Sequence, residues 1–236
     1  MVTPSRQLYL DACQRLADRL APLGFSYRRS RTDLTLRIEE WTCEIALQST
    51  RSNSVDDVSV LINPSLSSSR VQEYRTLGND PYPFGSVTGG FLQYWAPYDT
   101  PIRRNLAGPH GAAVLDDNVD RIRTGPLAVL ELLRQPERFT SSATDLMLLH
   151  AGIGNWIDYL AAYDERRQIP DLLLRYVGDL HWNDGRLVDQ RRVLIDAQRL
   201  ARGLPPITDL NPGGAQALNE RLVRAGRLDD LLALSL

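Results

Sequence analysis

The sequence predicts an α+β protein: an N-terminal helix packed on a four- to five-stranded antiparallel sheet, followed by an α-helical C-terminal region. Three observations carry this. Apolar residues recur at helical spacing before residue 20, they alternate with polar residues in successive runs between Phe25 and Ile62, and helical spacing returns after Val114. The division expected is a sheet domain over residues 1–138 and a helical region over 139–236.

Thr3-Pro4 is a helix start, with Thr as N-cap and Pro at the first helical position. Leu8, Ala12, Cys13, Leu16 and Leu20 then form one apolar stripe, and Pro22 and Gly24 stop the helix. Phe25 and Tyr27 begin the strands. Leu34, Leu36 and Ile38 alternate with Thr35, Arg37 and Glu39, and Trp41, Cys43, Ile45 and Leu47 continue the pattern. A hairpin about Glu39-Glu40 would oppose Ile38 to Trp41, Leu36 to Cys43 and Leu34 to Ile45, all on the apolar face; a slip of one residue would set apolar against polar throughout. Val58, Val60 and Ile62 make a fourth run, and Ser68 to Leu77 reads as a short helix closed by Gly78.

The stretch from Asn79 to Gly111 is rich in Pro, Gly and aromatics and reads as a long loop with one strand, Gly90 to Trp95. Beyond it the spacing predicts two helices broken near Gly125-Pro126. It then predicts a longer helix from Ser142 to Tyr163, another opening at Pro170, an arginine-rich helix from Asp184 to Leu200 and a final pair between Gly214 and Leu234.

The 236 residues are 43 % hydrophobic and 24 % charged, ordinary for a folded chain. No run of 18 apolar residues predicts a membrane span, and the N-terminus lacks the apolar core of a signal peptide, so a cytoplasmic protein is expected. A formal charge of −2 argues against a dedicated DNA-binding protein. All 27 basic residues are arginine, which excludes lysine-dependent chemistry: Schiff bases, pyridoxal phosphate, the P-loop and kinase lysines. The codon bias of a GC-rich bacterial genome accounts for such usage. Cys13 and Cys43 fall on apolar faces and read as small buried hydrophobes.

The N-terminal half carries Leu20-Ala-Pro-Leu-Gly-Phe25 after an amphipathic helix, then Arg28-Arg29, an Arg-x-Glu strand, Ile45-x-Leu47-Gln48-Ser49 with Asn53, and an alternation closing on Asn63. Together these resemble a widespread bacterial family of small domains of unknown function, built from a helix, an antiparallel sheet and a closing helical segment. The likeness covers residues 5–138, extending through Asp116–Val119 and Leu127–Leu133. It implies the fold and brings no catalytic residues with it.

Candidates for chemistry each have a structural reading beside them. His110 sits in a Gly-Pro-His-Gly turn, His150 at the edge of a helical stripe, and His181 among Asp179 and Asp184, where a carboxylate could orient an imidazole. No two histidines have metal-ligand spacing, Gly85-Ser-Val-Thr-Gly89 lacks the order of a nucleophile elbow, and no dinucleotide fingerprint is present. The pairs Asp56-Asp57, Asp116-Asp117 and Asp229-Asp230 fit helix starts and turns. Arg28, Arg29 and Arg31, with Arg51, form an anion-binding candidate; a hydrated turn between strands is the alternative. Tyr82, Phe84, Tyr94, Trp95 and Tyr98 are the partner-binding candidates, of types that anchor protein interfaces, and pinning of the loop to the core is their alternative.

These readings lead to a non-catalytic bacterial interaction protein, of the kind found in toxin-immunity, defence or regulatory complexes. It is expected to have another protein as partner and no cofactor, metal, membrane or nucleic acid. The alternatives are a hydrolytic enzyme with a His–carboxylate pair at His181 or His110, and an anion or nucleic-acid binder at the Arg28 bend.

Overall fold

The computed structural model describes residues 4–50, 52–80, 83–90, 92, 95, 105–107, 110–179, 185–207 and 212–236. The architecture is α+β. In chain order the elements are α1 (Pro4–Leu20), β1 (Ser26–Arg28), β2 (Asp33–Ile38), β3 (Trp41–Ser49), β4 (Val60–Ser68), α2 (Ser69–Leu77) and β5 (Ser86–Gly89). There follow α3 (Gly111–Ile122), α4 (Ala128–Leu133), α5 (Phe139–Ser142), α6 (Asp145–Ala151), α7 (Ile153–Ala162), α8 (Ile169–Leu174), α9 (Gly185–Ala201), α10 (Pro212–Ala225) and α11 (Leu228–Ala233). The strands form one antiparallel sheet in the order β1-β2-β3-β4-β5. The chain divides into two compact units: Met1–Ser68 with Thr88–Glu131, and Ser69–Val87 with Leu132–Leu236.

In the first unit, α1 buries Tyr9, Ala12, Cys13, Leu16, Ala17 and Leu20. The stripe read from spacing includes Leu8, which is instead exposed; Tyr9 takes its place because its hydroxyl donates to the Leu47 carbonyl over 2.6 Å. Gly24, at φ +91°, turns the chain into β1, and a side chain there would press on Leu36 Cδ1 at 3.1 Å. The β2–β3 hairpin has the predicted register, Ile38 opposite Trp41, Leu36 opposite Cys43 and Leu34 opposite Ile45, and five of these six side chains are buried. Period-two alternation dictates this: any odd slip would turn Trp41 and Ile45 into water.

β4 runs six residues past Ile62, pairing Pro64 with Ile45 and Leu66 with Cys43. Proline cannot donate to a ladder and ordinarily marks a strand edge, which is why the sequence pattern stops short of it. Here its carbonyl accepts from the Gly90 N–H at 3.1 Å. Of the predicted strand at Gly90–Trp95, residues 91, 93 and 94 lie outside the described residues, and Gly90, Leu92 and Trp95 are not in a strand: the described strand is Ser86–Gly89, and the Trp95 N–H closes a turn on the Leu92 carbonyl. At Gly125-Pro126 the chain passes through a wide helical turn, Arg123–Leu127, between α3 and α4. A side chain at Gly125 would meet Trp95 Cβ at 2.9 Å.

In the second unit, the helix predicted from Ser142 to Tyr163 is divided. Thr144 caps α6 through its side-chain oxygen, and Gly152, at φ +70° and ψ 146°, separates α6 from α7. The core beneath is aromatic: the Phe139 ring lies 4.8 Å from that of Trp156 and 5.0 Å, edge on, from that of Tyr159. Each of these buried polar tips has an acceptor: Trp156 Nε1 donates to Leu148 O at 3.0 Å and the Tyr159 hydroxyl to Leu133 O at 2.9 Å. α10 packs on α7 and α9 through Ala215, Leu218 and Leu222.

Candidate functional site

Arg28, Arg29 and Arg31 project from one turn and are exposed; Arg28 Nε stands 4.0 Å from Asp33 Oδ1. Thr3, Arg51, Tyr82, Tyr94, Tyr98 and His181 lie outside the described residues, as does the side chain of His150. Of the aromatic candidates that are described, Trp95 is buried at 6 % exposure, with Nε1 donating to the Gly90 carbonyl at 3.0 Å, and Phe84 is exposed at 66 %. His110 is exposed at the start of α3, and no side-chain cap joins it to the helix.

At Asp56-Asp57 the backbone is engaged, and three of the other four carboxylates meet arginines. Ser54 Oγ accepts from the Asp56 and Asp57 N–H groups, Asp116 pairs with Arg19, Asp117 with Arg121, and Asp230 with Arg227. Among the described residues no three His, Cys, Asp or Glu side chains converge as metal ligands. Burial pushes the Cys13 thiol up to about 11 and that of Cys43 to about 12. Both are therefore protonated at neutral pH and poor nucleophiles.

The densest polar constellation lies in the helical unit, among residues that the sequence pattern did not single out. Asp158 on α7 is wholly buried, and its Oδ2 accepts from Arg75 Nε of α2 at 2.8 Å and from Arg221 Nη1 of α10 at 2.7 Å. Asn155, one turn earlier on α7, offers Oδ1 to Arg75 Nη2 at 2.9 Å and to Arg221 Nη1 at 3.2 Å, while its amide nitrogen donates to the Ala151 carbonyl at 2.7 Å. Arg75 Nη1 donates to the carbonyls of Phe84 and Ser86, at 2.5 and 2.8 Å. One buried guanidinium thus ties α7 to the backbone of residues 84–86, the segment that carries the exposed Phe84 ring.

The sequence carried a faint signal for this. Asp158 falls within the run Trp156, Ile157, Tyr159 and Leu160, and a carboxylate there must find a cation on folding. Its partners stand 83 residues before it and 63 after it, so no spacing rule identifies them.

Beside this network opens a depression of about 220 Å³, lined by the turn at Gly152–Asn155, by Gln190 and Val193 of α9, and by Ala217, Leu218 and Arg221 of α10. The Arg221 stem lies over Gly154, where a side chain would meet its Cδ at 3.1 Å. Arg221 is the charged residue of this lining.

Among the described residues no helix is long and apolar enough to cross a membrane. No family model, curated protein or solved structure matches this chain.

Proposed function

We propose that this chain is a non-catalytic interaction protein that docks another protein through Phe84 of its helical unit. The observation that carries the proposal is that Phe84 is 66 % exposed while its carbonyl is held by Arg75, a guanidinium that is itself buried against Asp158. A large apolar ring in water has a cost unless something covers it, and a ring on a fixed backbone loses little freedom when it is covered. Leu77, at the end of α2, is 78 % exposed and adds a second apolar side chain to the same unit. Aromatic anchors of this kind carry most of the energy of small interfaces. An immunity, defence or regulatory complex is the setting such an anchor would serve.

The test is a photo-crosslinking amino acid placed at position 84 in cells of the source organism, with Phe139, which is fully buried, as the control position. A discrete adduct at 84 that is absent at 139, and whose protein partner loses affinity for the Phe84→Ser variant, is the expected result. Equal labelling at both positions, or an adduct partner that binds Phe84→Ser unchanged, contradicts the proposal.

A further inference from the structure

We propose that the depression beside Arg221 binds a carboxylate carried on a short aliphatic body. Arg221 spends only Nη1 inside the protein, on Asp158 and Asn155; among the described residues its Nε and Nη2 meet no acceptor. Those two N–H groups form the edge of the guanidinium that takes both oxygens of a carboxylate in parallel. The charge of the cluster points the same way. Arg75 and Arg221 share one carboxylate, Asp158, which leaves one positive charge in excess, and Arg75 is closed off while Arg221 faces the opening. A monoanion balances that charge; a phosphate dianion would overshoot it.

The walls set the rest of the ligand. Ile153, Val193, Ala217 and Leu218 are apolar, and Gln190 is the uncharged polar side chain opposite the Gly152 turn, its Nε2 3.6 Å from where a side chain on Gly152 would begin. About 220 Å³ accommodates a chain of a few carbons and is too small to enclose a nucleotide. Two sources supply this chemistry: a free short-chain acid, or the C-terminal carboxylate of a polypeptide ending in an apolar residue.

The full chain would be titrated with hexanoate, hexanamide, inorganic phosphate, and a short leucine-terminated peptide with a free or an amidated C-terminus. The Arg221 Nε–H resonance, assigned by its loss in Arg221→Lys, is the reporter. The expected result is a hexanoate-dependent shift with a Kd of about 1 mM, hexanamide weaker by about tenfold or more, and loss of the shift in Ala217→Leu, which fills the depression while keeping Arg221, Asp158, Asn155 and Arg75 themselves in place. A free-terminus peptide binding more tightly than hexanoate assigns the site to polypeptide ends, and the reverse assigns it to free acids. Hexanamide equal to hexanoate, phosphate displacing hexanoate at equal concentration, an undiminished shift in Ala217→Leu, or no shift at all overturns the proposal. If Ala217→Leu does not fold, the hexanoate and hexanamide titrations of the unmodified chain decide it alone.

Discussion

The Nε–H of Arg75 donates to Oδ2 of Asp158 over 2.8 Å, between side chains that are 4 % and 0 % exposed. Breaking such a pair from one side strands a buried charge, and here it would leave two guanidiniums facing each other without a counter-ion. Asp158→Ala should therefore cost about 3–5 kcal/mol. Asp116→Ala removes the partner of Arg19 in an exposed pair and should cost less than about 1 kcal/mol. Urea unfolding curves of the two variants compare these directly; equal midpoints would refute the assignment of the buried pair as the organising contact of its unit.

Tyr9 presents a different balance. Its hydroxyl donates to the Leu47 carbonyl, but that carbonyl also accepts from Thr32 Oγ1 at 2.9 Å. Tyr9→Phe keeps the ring packed and leaves the carbonyl satisfied, so the loss should be only about 0.5–1.5 kcal/mol. Tyr9→Ala empties the space beneath α1 and should cost about 3–5 kcal/mol. Denaturation midpoints again provide the measurement.

Much of the sheet was legible because its determinant is local. The alternation from Leu34 to Leu47 admits one register, and the hairpin at Glu39-Glu40 has it. Leu8 and Tyr9 were not separable by spacing alone, since both lie near the edge of the same stripe; the Leu47 carbonyl decides between them. Pro64 hid the second half of β4, and Gly152 divides what reads as a single helix because one glycine in an apolar run gives little warning of a positive φ. The Arg75–Asp158–Arg221 network was hardest to see, because ion pairs between residues this distant leave no periodic trace. Of the aromatic candidates that are described, composition marked Trp95 and Phe84 alike, and packing separates them: one anchors the core, the other faces water.

Gly152 provides a backbone test. At φ +70° and ψ 146° it occupies a region that side chains strongly avoid, while the nearest atom to a methyl placed there, Gln190 Nε2, is 3.6 Å away. Gly152→Ala should therefore destabilise by about 1–3 kcal/mol through strain rather than through a clash. A variant as stable as the parent would mean that this turn relaxes freely.

The two thiols predict an alkaline limb. Cys43, pushed up by burial to about 12, binds its proton more tightly folded than unfolded, where a thiol titrates at about 8.5. The stability this contributes is complete below about pH 8.5 and is lost as pH rises toward 12, at up to about 1.4 kcal/mol per pH unit for each such group. Cys13 and Tyr9 act in the same direction. Melting temperature should fall from about pH 9 upward, and more shallowly in Cys43→Val. Thiol reagents should label neither cysteine at neutral pH until urea unfolds the chain; immediate labelling of the folded protein would contradict the burial.

The proposed function depends on an exposed ring carried by a fixed backbone, and backbone amide relaxation at Phe84, Gly85 and Ser86 measures that most directly. Order parameters of about 0.85 are expected, with 4-fluorophenylalanine at position 84 showing a solvent-exposed fluorine shift. Order parameters below about 0.6, or a fluorine buried in the free protein, would contradict it.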